Sequence, residues 1–181
     1  MKVIILLLIG FLVTPLFGIE KLYQEAYSNY QNGDFDQARS LFGQLIAKTK
    51  IDHLSDNAQF WIAMSYLKEG RIADSLGNKE QAIEKFSNAL PEFEKVLSYK
   101  DNKTPKYTDS QFKIAQTLFF MKEYDRAELE FVKFVTRYPS HSLRKVCLEY
   151  INNIRKLRDE KKPTDITSAS NDSTPPDSSG K

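Results

Sequence analysis

Apolar residues recur every three or four positions along most of this chain, which is the spacing of one face of an α-helix. The pattern runs from Ile19 to Gln31 and stops at Asn32-Gly33, and glycine closes helices at no steric cost. It resumes after Asp34, so the two segments form a helix, a tight turn and a second helix. The long segments show no alternation of β-branched residues. The sequence therefore predicts an all-α fold.

Small residues mark the same places in three successive helix pairs. Where two helices cross closely, only a small side chain lets their backbones approach, and aromatic side chains fill the wider gaps. The small residues are Ala26, Ala63 and Ala115 in the first helices and Ala38, Ala89 (or Ala82) and Ala127 in the second helices, followed four residues later by Phe42, Phe93 (or Phe86) and Phe131. Helix pairs that recur in this way predict a short α-solenoid.

The second helix pair is longer than the first. Ala26 and Ala63 are 37 residues apart, whereas Ala63 and Ala115 are 52 residues apart. An added heptad is nearly two helical turns, so it preserves the face that each helix buries. We expect both helices of this pair to be about two turns longer, with the turn near Gly77-Asn78.

Two residues leave an alternative open for this pair. The turn could fall at Gly70 and be followed by a loop to Asn78. Pro91 argues against an unbroken second helix, because proline removes one backbone hydrogen bond. We favour the extension because the run from Ile72 to Leu76 is compatible with a helix.

Polar residues at four places are predicted to cap helix N-termini. In three of the four, glutamine follows three residues later, which is the spacing of a capping box. The predicted caps are Asp34, Ser55, Asn78 and Thr108, and the glutamines are Gln37, Gln81 and Gln111.

The N-terminus has the order of a secretory signal peptide. Lys2 is followed by an apolar run from Val3 to Val13, and cleavage is expected after Gly18. The run is shorter than the ~20 residues that a spanning helix needs, although an uncleaved membrane anchor is the alternative. We therefore expect a periplasmic protein.

Cys147, the sole cysteine, lies on the apolar face of a predicted helix, so we expect a buried and unreactive thiol.

Composition and helix pattern together divide the chain into a leader, a repeat domain and a tail. The tail is rich in serine, threonine, aspartate and proline, and such a segment cannot bury enough surface to offset its ordering entropy. The predicted parts are a signal peptide at 1–18, repeats at about 20–50, 55–100 and 108–139 within a domain at 19–158, a capping helix at 142–158, and a disordered tail at 159–181.

The polar face of the last helix carries Arg144, Lys145, Arg155, Lys156 and Arg158, and we expect it to be solvated.

The recurring residues resemble the tetratricopeptide repeat. The matching residues are Ala26, Gly33, Phe35, Ala38, Phe42 and Leu45 in repeat one, Ile62, Ala63, Tyr66, Ala89, Phe93 and Val96 in repeat two, and Ile114, Ala115, Tyr124, Ala127, Phe131, Phe134 and Pro139 in repeat three. The resemblance covers about residues 20 to 140 and implies a short α-solenoid of helix hairpins with a C-terminal capping helix.

Three stretches resemble a narrower branch of that family. Segments 30–38, 56–63 and 137–140 are similar to the exported, Tol–Pal-associated cell division coordinator, and outer-membrane assembly lipoproteins share this style. This resemblance implies a role in assembly or division of the cell envelope.

The family resemblance also implies a binding surface. The first helices of such repeats line a concave groove that holds an extended peptide or a partner helix. The corresponding residues are Tyr23, Tyr27, Tyr30, Phe60, Met64, Lys68, Phe112, Gln116 and Phe119. The alternative for each is packing between adjacent repeats, and Trp61 is expected to pack against repeat one.

The expected function is that of a non-enzymatic exported adaptor with a protein or peptide partner, and the alternative is a structural subunit of an outer-membrane assembly or secretion complex. A net charge of +2 gives no electrostatic case for nucleic acid. The sequence shows no nucleophile–base set, no metal-ligand spacing and no glycine-rich phosphate loop, so we expect no catalysis, metal or cofactor. Membrane contact is expected only through partners or an uncleaved signal anchor.

Overall fold

The computed structural model describes residues 18–49, 52–99 and 104–160. These residues form seven helices and no strand, so the all-α prediction is confirmed. The helices are α1 (18–32), α2 (Phe35–Lys48), α3 (Asp52–Ser75), α4 (Lys79–Ser98), α5 (Pro105–Phe120), α6 (Tyr124–Arg137) and α7 (Arg144–Asp159). The predicted signal peptide (except Gly18) and the predicted tail beyond Glu160 lie outside the described residues.

One backbone conformation closes all three hairpins, α1–α2, α3–α4 and α5–α6. Gly33, Gly77 and Lys122 have positive φ angles of 90°, 82° and 62°. In each turn the amide of the following residue donates to a carbonyl five residues back, at 2.9 to 3.0 Å. This is the Schellman closure of a helix, and at Gly77 it falls where the sequence predicted a turn. Lys122 adopts the conformation despite its Cβ, at a cost of about 1 kcal/mol.

Two predicted helix starts are wrong. α3 begins at Asp52 rather than after Ser55, and α5 begins at Pro105 rather than after Thr108. Thr104 is the N-cap of α5, and its Oγ1 accepts a backbone N–H three residues later at 3.3 Å. Proline is favoured at the first helical position because it has no amide to satisfy there.

The predicted capping boxes are not formed before α2 and α4. Asp34 and Asn78 occupy the N-cap positions, but neither side chain accepts a cap hydrogen bond. Their carbonyls accept the first helical bonds instead, from the amides of Ala38 and Ala82 at 2.9 Å each. The Schellman turns therefore direct the chain into these two helices.

Each hairpin is packed around one aromatic pair beside its small residues. The ring centroids lie 5.8, 5.8 and 6.0 Å apart in the three repeats, for the pairs Tyr23–Phe42, Phe60–Phe93 and Phe112–Phe131. In repeat two, Phe93 thus occupies the position that Phe42 and Phe131 occupy in the other repeats. Phe86 instead packs against Phe120 of α5, with the ring centroids 5.7 Å apart. The small residue that corresponds to those of the other second helices is Ala89.

The hairpin of repeat two is extended in both helices, as the sequence predicted. α3 has 24 residues against 16 in α5, and α4 has 20 against 14 in α2 and in α6. Gly70 continues α3, so the alternative turn at this residue is wrong. A Cβ on Gly70 would lie 2.5 Å from the Phe86 ring and 3.2 Å from the Ala82 carbonyl oxygen. Gly70 thereby permits a second close crossing, one heptad beyond Ala63.

Pro91 does not break α4. The helix continues through it from Lys79 to Ser98. Pro91 and Ser87, whose carbonyl loses its helical donor, are both exposed, so water can satisfy that carbonyl.

The C-terminal helix is joined to α6 by ion pairs. Arg155 lies 2.6 Å from Glu128, and Arg158 lies 2.8 Å from Glu128 and 2.7 Å from Asp125. Both arginines remain exposed, as expected for the polar face of this helix, and they also pair with carboxylates of α6. The hydrogen bond from Arg155, supported by Arg158, holds the pKa of Glu128 below its ordinary value.

Replacing Gly70 with alanine tests the second close crossing. The added methyl group overlaps the Phe86 ring, so we expect the free energy of unfolding in urea to fall by about 1–3 kcal/mol. Gly43→Ala is the matched control, because Gly43 is exposed in α2 with nothing within 4 Å of its Cβ position. That variant should gain roughly 0.5–1 kcal/mol. Equal effects at the two glycines would contradict the crossing.

The α6–α7 ion pairs predict a pH-dependent contribution to stability. Because folding lowers the pKa of Glu128, its carboxylate stabilises the fold above its unfolded pKa, and that contribution is lost as the pH falls through the folded pKa. Glu128→Gln should lower the free energy of unfolding by about 0.3–1 kcal/mol at neutral pH and change nothing below about pH 2. In the control Glu130→Gln, only a pair with Lys133 within α6 is removed, and the effect should be smaller. A loss of equal size at both pH values would show that the ion pair is not its cause.

Candidate functional site

Trp61 of α3 joins repeat one to repeat two on the side of the first helices. Its Nε1 donates to the Tyr23 hydroxyl at 2.9 Å, and its ring centroid lies 4.8 Å from that of Tyr27 and 4.9 Å from that of Tyr30. The Tyr23 hydroxyl donates in turn to Asn57 Oδ1 at 3.4 Å. Burial raises the pKa of Tyr23, which keeps the hydroxyl protonated and able to donate. The predicted packing of Trp61 against repeat one is confirmed.

The nine predicted groove residues together with Trp61 are called the first-helix surface below, and they differ in exposure. Tyr30, Phe60 and Phe112 are buried, with 7%, 4% and 5% of their surface exposed. Lys68 is exposed, and the half-buried residues are Tyr23, Tyr27, Met64, Gln116 and Phe119. The three buried rings support the surface from within the core, so the other six predicted residues offer the side-chain atoms that a partner can touch.

The repeat-three end of this surface contacts the C-terminal helix. Gln116 Nε2 donates to the Tyr150 hydroxyl at 2.8 Å, and the ring of Phe119 lies 4.9 Å from that of Tyr150. Tyr150 also stacks on Phe131 at 4.7 Å. α7 thus occupies part of the area that the family resemblance assigns to a partner. Sequence reasoning missed this contact because it depends on how α7 packs, not on a repeat position.

Four cationic side chains of α3 and α5 lie against aromatic rings. The cation-to-centroid distances are 5.1 Å for Lys68 over Tyr30, 5.0 Å for Arg71 over Phe120, 4.4 Å for Lys106 over Phe60 and 5.5 Å for Lys113 over Phe112. Such contacts are worth about 0.5–1 kcal/mol where water reaches them. Sequence reasoning found only Lys68. Arg71 could have been found from the sequence, because it lies three residues after Lys68 in the extended helix α3. The position of Lys106 could not, because it depends on the early start of α5.

Lys113 of α5 is half-buried. Burial lowers the pKa of its ammonium, the charge of Arg71 lowers it further, and Asp109 acts in the opposite direction. Its Nζ donates to Gln116 Oε1 at 2.9 Å. Charges of both signs therefore act on this ammonium.

The carboxylates of this region are engaged with other cations. Glu69 lies 2.6 Å from an arginine of α2 and 3.7 Å from a lysine of α4. Asp109 lies 3.8 Å from Lys106. Among the described residues, Lys68, Arg71 and Lys113 form no salt bridge, although the charge of Asp109 still raises the pKa of Lys113.

The described residues contain no group of three or more His, Cys, Asp or Glu side chains placed to hold a metal ion. Cys147 is buried, as predicted, and burial raises the pKa of its thiol to about 11. A thiol with such a pKa is protonated at neutral pH and is a poor nucleophile. In this part of the chain, no helix combines the length and apolarity needed to cross a bilayer.

Known proteins were compared with this chain by sequence and by structure. The family model described as tetratricopeptide repeat matches residues 22–48 and 109–141. A TPR-like protein from Chlorobium tepidum TLS is similar at 13% identity and a TM-score of 0.47, covering 81% of this chain and 98% of that one. TPR-like repeats of a Podosopora anserina protein assigned as a kinesin light chain are similar at 14% identity and a TM-score of 0.40, covering 79% and 88%. No curated protein matches the chain.

The part of the chain that the structure describes is an α-solenoid of three helix hairpins followed by one further helix. The family model covers the first and third hairpins, and the second shares their turn and their aromatic pair. Two of the three hairpins thus match the tetratricopeptide repeat, which generally occurs in non-catalytic scaffolds that bind other proteins.

Proposed function

We propose that this protein is a non-enzymatic adaptor that binds an extended peptide or a helix of a partner protein on the first-helix surface. The observation that carries the proposal is the row of accessible side chains around Trp61. Tyr27, Met64 and Lys68 combine an aromatic ring, a flexible thioether and a cation within one area. Aromatic and methionine side chains dominate protein-binding surfaces because they bury much apolar area and adapt their shape.

The proposal includes export and a role in the cell envelope. Lys2 and the apolar run from Val3 to Val13 favour secretion into the periplasm. The similarity of segments 30–38 and 56–63 to the cell division coordinator branch favours a partner among envelope proteins. In this proposal the protein reaches membranes through its partners or through an uncleaved signal anchor.

A structural subunit of an outer-membrane assembly or secretion complex is the second candidate. Leu129 and Val132 of α6 favour it, because they are 53% and 37% exposed on the side opposite the buried Ala127 and Phe131. A subunit held through flat contacts would use such a face. The two candidates therefore assign the partner to opposite sides of the solenoid.

Site-specific photo-crosslinking separates the two candidates. We expect a crosslinker at position 64 to capture one partner protein in cells, because Met64 lies beside Trp61 on the first-helix surface. A crosslinker at Glu84, an exposed residue of α4, is the control and should capture none. The captured partner is identified by mass spectrometry, and the purified pair must re-form the adduct. Capture at position 129 and not at position 64 would favour the structural subunit and contradict the adaptor.

Export is tested separately by fractionation and intact mass. In a Gram-negative host, we expect the protein in the periplasmic fraction with an N-terminus at Ile19, because cleavage is expected after Gly18. Deletion of residues 2–17 is the control and should leave the protein in the cytoplasm. A full-length mass in the membrane fraction would identify an uncleaved anchor. A full-length mass in the cytoplasm would contradict export.

A further inference from the structure

The extended hairpin of repeat two projects beyond the shorter hairpin of repeat one. The Lys68 ammonium of α3 lies 5.1 Å from the ring centroid of Tyr30 and 5.9 Å from that of Phe35, so the α1–α2 turn is level with this residue. α3 continues from there to Ser75, about 10 Å further at ~1.5 Å per residue. Residues 71–81 are called the tip below, and the space between the tip and the α1–α2 turn is called the step.

The side of the tip that faces the step is apolar. Ile62, Glu69 and Leu76 are spaced by seven residues, so they lie on one stripe of α3. Ile62 packs against the core cluster of repeat one, and Glu69 lies 2.6 Å from Arg39 of α2. Leu76, with Ile72 four residues before it, therefore continues the stripe that α3 uses against repeat one. These two residues are 70% and 47% exposed, because repeat one ends before it can cover them.

Two charged residues of the tip lie on its other side, toward repeat three. Arg71 lies 5.0 Å from the ring centroid of Phe120 in α5, and Asp74 follows three residues later. The third exposed apolar residue of this hairpin, Ile83, is also on that side, because it precedes by seven residues Leu90, which packs against the core of repeats two and three. Covering the step side therefore buries neither of these two charges.

We propose that the tip binds the tip of a second copy of this chain, with the two copies related by a two-fold axis. α3 of one copy runs antiparallel to α3 of the other, and Ile72 of each copy lies against Leu76 of the other. The inference goes beyond the adaptor proposal and does not depend on it. The dimer presents two first-helix surfaces, so a partner with two binding segments is held more tightly than by one copy.

Shape is the first argument for a second copy as the occupant of the step. The step is as deep as the tip is long, because one extension of α3 creates both. A copy inverted about an axis at the level of Asp74 places its Gly77 turn beside the α1–α2 turn and receives the other tip in its own step. Such a contact uses the same surface on both copies and closes at two.

The second argument is the chemistry of the contact. Its centre consists of four aliphatic side chains, two from each copy. Glu69, on the same stripe, lies 2.6 Å from an arginine of α2 and 3.7 Å from Lys85, so its charge is already compensated within each copy. Two helical turns from each copy bury less than the ~1,200 Å² of a standard interface, so we expect a weak dimer with a Kd of about 10–100 µM.

Sedimentation velocity over a range of concentrations tests the inference. The chain is purified from cells in the form that occurs there, and its N-terminus is read by intact mass. We expect the protein to shift from monomer to dimer between about 5 and 500 µM and to form no larger species.

The variant Ile72→Gln/Leu76→Gln removes the apolar side of the tip. Both residues are exposed, so the fold should be retained, which circular dichroism checks. We expect the Kd of the dimer to rise at least about tenfold. The matched control is Leu129→Gln/Val132→Gln on α6, at residues that are 53% and 37% exposed, and it should change the Kd less than about twofold. Ile83→Gln, on the other side of the same hairpin and 51% exposed, is a second control with the same expectation.

Disulfide formation tests the orientation of the two copies. Ile72→Cys and Leu76→Cys are prepared separately, mixed and oxidised with diamide, while the native Cys147 stays buried. Antiparallel tips bring position 72 of one copy to position 76 of the other. We therefore expect more of the mixed disulfide than of either homodisulfide, whereas parallel tips would give homodisulfides.

Four results would overturn the inference. These are a monomer at every concentration, open-ended polymers, equal weakening by Ile72→Gln/Leu76→Gln and by either control, and homodisulfides in equal or greater yield than the mixed disulfide. Self-association through the apolar N-terminal run would be equally strong in all variants and so belongs to the third result. None of these results would remove a crosslinked partner at position 64, so failure of the dimer and failure of the adaptor are separately visible.

Discussion

The close crossing of the two helices in each hairpin is the constraint on which the rest of the structure depends. The small residues at the crossings are fully buried in all three repeats, at Ala26, Ala63 and Ala115 in the first helices. A larger side chain there would separate the backbones and leave the neighbouring aromatic rings underpacked. Because the crossings are so tight, the rings cannot lie between the two helices at that point. They pack beside the crossing and outward against the next repeat.

Trp61 and Met64 show what this arrangement means for binding. The described core consists of two clusters of buried residues, and both residues pack against each of them. They also belong to the first-helix surface. The surface that we assign to a partner is therefore made of the same side chains that couple repeat one to repeat two. Loss of binding in variants at these two positions has to be separated from loss of coupling between repeats.

Much of the fold could be predicted from the sequence because it depends on local patterns. The turn at Gly77, the longer hairpin and the burial of Cys147 follow from heptad spacing, a glycine and an apolar stripe. The starts of α3 and α5 were predicted about one helical turn too late. For α5 the competing cap signal was Thr104 followed by Pro105.

The candidate site was less predictable, because it depends on packing between helices distant in sequence. Tyr150 is 34 residues from Gln116, and no repeat position indicates their hydrogen bond. Arg71 reaches the ring of Phe120 in α5 only because α3 continues beyond Gly70. Family positions supplied residues on the first helices, but the burial of Tyr30, Phe60 and Phe112 had to be read from the fold.

The extended hairpin of repeat two has a consequence for local motion. Between Ile72 and Gln81, Ala73 is the one buried residue. The ion pairs of Glu69 and the contact of the Phe120 ring with α4 both lie outside this segment. Few apolar contacts therefore oppose separation of the last turn of α3 from the first turn of α4. Their amide hydrogens should exchange with solvent through a local opening of low free energy, while those around Ala63 and Ala89 exchange only when the whole solenoid unfolds. The segment from Ile72 to Gln81 can thus open and close as its own cooperative unit, while the rest of the solenoid stays folded.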